Sequence, residues 1–214
     1  RGGIERVGAA GHVFTILDEQ NRKLNGAALW LGGHEYQADT NGLITVPFST
    51  NPGRQTILIS QGGFTTLASF EHQAEKYKLS AGIYVERESV LSRRKAQVLI
   101  RPVLTVNDIP ISLALLEDPV LTIESTDGDG VKTMKDVNDL KLSADQETVC
   151  EFQVPENLKQ MVFTLKGRIQ NLSRNRKDDL AAAKTLPLNQ IESTARIEDF
   201  HLSRTLGGYV LRVL

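Results

Sequence analysis

The stretch that most constrains the fold is residues 25–48, NGAALWLGGHEYQADTNGLITVPF. Ala28, Trp30 and Tyr36 are apolar positions set apart by small or polar ones, a pattern that suits half-buried pleated strands. Gly32 and Gly33 take positive φ at little steric cost, so the chain can reverse between two strands there. Asn41 and Gly42 are the pair that a type I′ hairpin favours, and they predict a second reversal. Beyond them Ile44, Val46 and Phe48 alternate with Leu43, Thr45 and Pro47, and the first set is the candidate core face. Pro47 has no N–H to give a ladder, so that strand ends there or lies at an edge. The expectation is a β-meander with no catalytic apparatus in it.

Composition bounds the role. At 214 residues the chain has room for one large or two ordinary domains. A formal net charge of −1 leaves no electrostatic footprint for nucleic acid or an anionic membrane surface. No apolar run approaches the roughly 20 residues of a membrane-crossing helix. The single cysteine, Cys150, excludes an intramolecular disulfide framework and a cysteine-rich zinc site, without fixing the compartment. The chain opens on Arg1 and closes on GGYVLRVL, an apolar strand-like run over residues 207–214. This leads us to expect a piece of a longer polypeptide.

In order along the chain, residues 1–11 are glycine-rich and read as loose, and 12–17 (HVFTIL) form the first strand. After the stretch at 25–48, Pro52 and Gly53 precede a strand at 56–60, a Gly62–Gly63 turn and a strand to Phe70. The steps LNGAA at 24–28, Y-x-A-D-x-N-G at 36–42, PG at 52–53 with Ile57, and GGF at 62–64 resemble the carboxypeptidase regulatory-like (transthyretin-like) β-sandwich. The resemblance covers residues 11–75, about a third of the chain. It rests on turn chemistry, departing at residues 55–58, where that family often has an aromatic. It implies a sandwich that packs, spaces or binds, and it implies no catalytic residue.

Residues 71–80 read as a polar linker or short helical turn, and the domain boundary falls between 76 and 95. From Gln97 an apolar alternation begins that Arg101 and Pro102 interrupt. Strands are expected at 148–154 and 161–167, a helix at 174–184 (RNRKDDLAAAK), where alanine is frequent and β-branched residues are few, and an alternating strand at 194–202. The steps FQVP at 152–155 and FTLKG at 163–167 resemble strands of macroglobulin-type sandwiches. GHVFTIL at 11–17 also resembles GYVLRVL at 208–214, which would make the chain end the first strand of another module like the first.

Groups that could carry chemistry are few. Asp127 and Asp129 alternate with Gly128 and Gly130, but Val131 stands where a calcium loop needs its third ligand, so a polar turn without calcium is expected. The neighbours His34 and Glu35, and Glu71 and His72, lack the spacing of a zinc-protease helix and point to opposite faces of a strand. No nucleophile elbow of the G-x-S-x-G type is present. Cys150, between Val149 and Phe152, reads as a buried inert thiol. The basic runs at 93–95 and 174–177 read as solvated loop charge. Trp30 and Tyr36 are the candidate ligand-binding residues, as an aromatic platform for carbohydrate or peptide, against the plainer reading that both pack in the core.

The reading is an all-β chain of two β-sandwich modules in tandem: transthyretin-like over 1–80, macroglobulin-like or immunoglobulin-like over 81–206, and a further module opening at 207–214. The expected role is a non-enzymatic structural or protein-interaction module of a larger multidomain protein, secreted or in the cell envelope. It would touch other domains of the same polypeptide or other proteins through strand edges or loops. The expectation includes no cofactor and no metal. The alternatives are a carbohydrate- or peptide-binding module and an accessory domain of a hydrolase.

Overall fold

A computed structural model of the chain describes residues 2–86, 89–90 and 95–188, and the backbone of 200–205 and 208–213. The fold is all-β. Its first part contains β1 (Gly2–Gly8), β2 (Gly11–Leu17), β3 (Ala28–Leu31), β4 (His34–Gln37), β5 (Leu43–Val46), β6 (Gly53–Gln61) and β7 (Phe64–His72). These make two sheets, ordered β1-β2-β5 and β4-β3-β6-β7. Phe14 and Ile16 from one sheet meet Leu29, Ile57, Ile59 and Phe70 from the other, with Ile44 and Val46 closing the same core.

The meander expectation is only half right. Gly32 and Gly33, both at positive φ, join β3 to β4 as a hairpin. The chain then leaves that sheet, and β5 pairs with β2 in the other. The turn explains the departure. Positive φ is found at Gly42 but not at Asn41, whereas a type I′ turn needs it at both central residues. Asp39 organises the bend: one carboxylate oxygen accepts the Asn41 and Leu43 N–H groups at 2.8 and 2.9 Å. Such a side-chain-closed turn splays the flanking strands, and here it carries the chain from one layer to the other. As expected, β5 ends before Pro47.

The loose reading of the N-terminus is also corrected. The glycines of β1 pair along the whole of β2, from Gly2 opposite Leu17 to Gly8 opposite Gly11. Backbone pairing needs no side chains, so a glycine-rich segment can still complete a ladder.

The second part holds β8 (Tyr77–Val85), β9 (Lys95–Val106), β10 (Ile109–Ile111), β11 (Glu117–Asp127), β12 (Lys132–Val137), β13 (Thr148–Gln153), β14 (Leu158–Asn171) and β15 (Arg176–Pro187). A short 3-10 turn spans Leu113–Leu115. One sheet places β8 along one side of β9, with β13 and β10 sharing the other; the second sheet runs β12-β11-β14-β15. Val98, Ile100 and Leu104 face Leu121, Ile123, Met161, Phe163 and Leu165 across the core.

Pro102 does not interrupt β9. It pairs with Ala81 of β8, while on the opposite side β13 stops at Ile100 and β10 begins at Leu104. Proline therefore sits at a gap in the sheet, where a missing donor costs least.

The expected helix at 174–184 is a strand. β15 pairs with β14 from Asn171–Arg176 to Gln160–Pro187. The pairing surface of the long, half-buried β14 outweighs alanine's weak helical preference. The alternation of Leu180, Ala182 and Leu186 toward the core was present in the sequence and hidden by the alanines between them. Residues 194–199 of the expected late strand, and Arg93 and Arg94 of the basic run, lie outside the described residues. A last hairpin joins β16 (Phe200–Thr205) to β17 (Gly208–Val213).

Candidate interaction surface

The outer face of β4-β3-β6-β7 carries an apolar row in cross-strand register. Glu35 stands opposite Trp30, Trp30 opposite Leu58, and Leu58 opposite Leu67. Residues directly opposite in antiparallel strands share a face, so these four side chains lie side by side. Trp30 is 40% exposed and Leu67 70%. On the two sides run Thr56 opposite Ser69, and Ser60 opposite Thr65, which leaves the row framed by short hydroxyl side chains. At one end Arg54 donates to the Ser69 hydroxyl at 3.0 Å.

Tyr36 does not join this row. It pairs with fully buried Leu29, one position along from Trp30, and packs on the core. The two candidate aromatics therefore lie on opposite faces of the sheet, and they form no common platform. Sequence reasoning missed Leu58 and Leu67. Leu58 sits between buried Ile57 and Ile59 and reads as one more residue of a core run, while Leu67 joins the row only through a register set by the Gly62–Gly63 turn.

A second, smaller row crosses the outer face of β8, β9 and β13. Tyr84, Leu99 and Val149 stand opposite one another, with Tyr84 65% exposed. Polar pairs border it: Gln97 donates to Glu151 at 3.2 Å on one side, and Arg101 to Glu147 at 3.0 Å on the other.

The remaining candidates serve the fold. One Asp127 carboxylate oxygen accepts the N–H groups of Asp129 (3.0 Å) and Val131 (2.8 Å), closing the polar turn. The His72 ring lies 2.8 Å from the Pro47 carbonyl. Buried Asn171 donates to Asp178 at 2.8 Å, and this bond, with the nearby Arg176 and Arg174, holds the Asp178 carboxyl below its ordinary range. Among the described residues no group of three or more His, Cys, Asp or Glu is placed to hold a metal ion.

Burial pushes the Cys150 thiol above its ordinary range. Only thiolate is a good nucleophile, so Cys150 is expected to react with Ellman's reagent much more slowly in the folded chain than in urea at the same pH; equal rates would contradict the packing described. The sign of the linkage is fixed too. Because the folded pKa is raised, this thiol's contribution to stability is whole below the free-thiol pKa and is lost as pH climbs through the folded value.

Facing sheets, antiparallel throughout and closed over two apolar cores, define the chain as a β-sandwich protein of the immunoglobulin-like class. The family model described as the AbpF third immunoglobulin-like domain matches residues 86–194, just over half of the sequence, and the chain belongs to that family. It is 32% identical over 212 residues to Actin-binding protein F of Dictyostelium discoideum, a match that takes in 95% of this chain and 9% of that protein. A solved structure, the tetra-tandem repeat in the extending region of a large adhesion protein, aligns over 96% of this chain and 58% of its own. Its 11% identity and TM-score of 0.30 carry no argument about the fold.

The family-model match supports the sandwich and the immunoglobulin-like family. The matches lend no support to the finer carboxypeptidase regulatory-like (transthyretin-like) and macroglobulin-like resemblances. The expected secreted or cell-envelope location is overturned by similarity to a protein named for binding actin, a component of the cytoskeleton inside cells.

Proposed function

We propose that the chain is a non-enzymatic protein-interaction segment of a longer, actin-associated polypeptide, in which its sandwiches space neighbouring parts and its exposed sheet face meets a protein partner. The observation that carries this reading is the 32% identity, across nearly the whole chain, to a stretch of Actin-binding protein F. That protein is about elevenfold longer than the matched stretch, so actin contact by this segment is itself part of the proposal. The row of Trp30, Leu58 and Leu67 is the chosen contact, because exposed aromatic and aliphatic side chains in register are what protein interfaces desolvate.

The division into modules belongs to the same proposal, with two bounds moved. A break after residue 80 would cut β8, which pairs with β9 of the second sandwich, so the seam lies at 73–76, and the further module opens with β16 rather than at 207. The hairpin of β16 and β17 closes on Thr205 and Gly208 in the same two-residue way that β1 and β2 close on Gly8 and Gly11, which supports a repeat of the first module's opening.

Co-sedimentation with actin filaments tests the contact. The chain is expected to pellet with filaments, and Leu67→Asp to weaken that at least about tenfold, the scale of a central interface residue. Exposed as it is, Leu67 leaves folding stability within about 0.5 kcal/mol when replaced. A chain that stays in the supernatant at every filament concentration would overturn direct actin contact.

A further inference from the structure

The four residues between β7 and β8, Gln73, Ala74, Glu75 and Lys76, have a composition that would ordinarily give a loose connection. Here each is tied. On the side of the first sandwich, Gln73 donates its N–H to the His12 ring at 3.0 Å, and its carbonyl accepts the Ser49 N–H at 2.8 Å. His12 is fully buried, and its other ring nitrogen lies 2.6 Å from a Glu5 carboxylate oxygen. The acceptor role of Nε2 fixes the tautomer: Nδ1 carries the proton and donates to Glu5.

On the side of the second sandwich the ties converge on one residue. Asn107, in the turn between β9 and β10, donates its amide to the Gln73 side-chain oxygen (2.8 Å) and the Ala74 carbonyl (3.0 Å). Its side-chain oxygen accepts the Lys76 N–H at 2.8 Å, and its own N–H donates to the Lys76 carbonyl at 2.9 Å. Asn107 does this from φ 46, a left-handed conformation that asparagine tolerates better than most residues. The Ser173 N–H, in the turn between β14 and β15, donates to Glu75 at 3.3 Å.

We propose that residues 73–76 form a latched joint, keyed by Asn107, which fixes the orientation of the second sandwich against the first and opens as a unit. The two halves of the latch are coupled through Gln73. Its backbone is held by His12 and Ser49, and its side chain by Asn107, so loss of the key frees both ends. This inference stands independently of any actin contact.

Amide hydrogen exchange on the whole chain, read by NMR, tests it. Asn107→Gly keeps the left-handed backbone accessible and removes the side-chain bonds. The expected result is loss of protection at both the Lys76 and Gln73 amides, each by at least about fivefold, the scale of one hydrogen bond. Amides of β6 and β14 keep their protection as controls for folding. Residual dipolar couplings of the two sandwiches are expected to fit one alignment tensor in the native chain and two in the variant. If core amides are lost as well, Gln73→Ala, which removes only the side-chain link, is read against the same criteria. Protection lost at Lys76 alone, or a native chain that already needs two tensors, would overturn the joint.

Discussion

Gly11→Ala is expected to destabilise the first sandwich by about 3–5 kcal/mol, through backbone strain and overpacking together. Gly11 opens β2 at φ 141, a region that residues with a Cβ rarely adopt. A methyl group built there would lie 2.1 Å from the Val46 carbonyl oxygen and 2.9 Å from the Pro47 Cα. Both obstacles are backbone, so no rotamer change relieves the clash. The strands would have to separate where His12 pairs with Val46, the first of the four pairs that join β2 to β5. The chain's single tryptophan, Trp30, belongs to this sandwich, so urea unfolding followed by its fluorescence reads the effect directly. A midpoint unchanged from the native chain would mean that β5 is not seated as described.

Phe163→Ala is expected to cost the second sandwich about 3–5 kcal/mol, the range for emptying a fully buried aromatic site. Phe163 is 0% exposed at the middle of β14, opposite Ile123 of β11, and its ring meets that of Phe152 edge-on at 5.6 Å between centroids. Phe152 comes from β13 in the facing sheet, so the pair bridges the two layers, and its loss leaves a cavity that neither sheet alone can close. Circular dichroism should show an early unfolding step in this variant, while the Trp30 fluorescence transition stays near its native midpoint. If both probes moved together by the same amount, the two cores would be unfolding as one, against the separation of their apolar clusters.

Much of the architecture was legible because period-two alternation is a local signal. The inward set Ala96, Val98 and Ile100 of β9 follows from it, whereas Trp30, grouped in the sequence with Ala28 and Tyr36 as one apolar set, points outward. What was not legible depends on partners far away in sequence. β1 is a strand because β2 lies beside it, and β15 because β14 does; glycine and alanine carry little preference of their own to announce either. The turn at residues 39–42 misled for a related reason. Asn41–Gly42 is a hairpin signal in isolation, but the Asp39 carboxylate claims the Asn41 N–H and selects a different bend. The candidate surface was half visible: Trp30 could be singled out as an unusual residue, whereas its neighbours Leu58 and Leu67 are ordinary residues made notable by register. Tyr36 looked equivalent to Trp30 until the pairing with Leu29 placed it on the other side.

The two apolar clusters share no residue: one draws on residues from Phe14 to Phe70, the other on residues from Leu79 to Leu188. A recombination breakpoint anywhere between residues 73 and 76 therefore cuts through neither core, and either half can be duplicated or exchanged without opening a cavity in the other. Asn107 and His12 bind this short segment from opposite sides, so a half that moves into a new context brings only one side of its fastening with it. Shuffling of such units is thus constrained at the seams rather than in the interiors, and the residues that co-evolve across a junction should be polar ones.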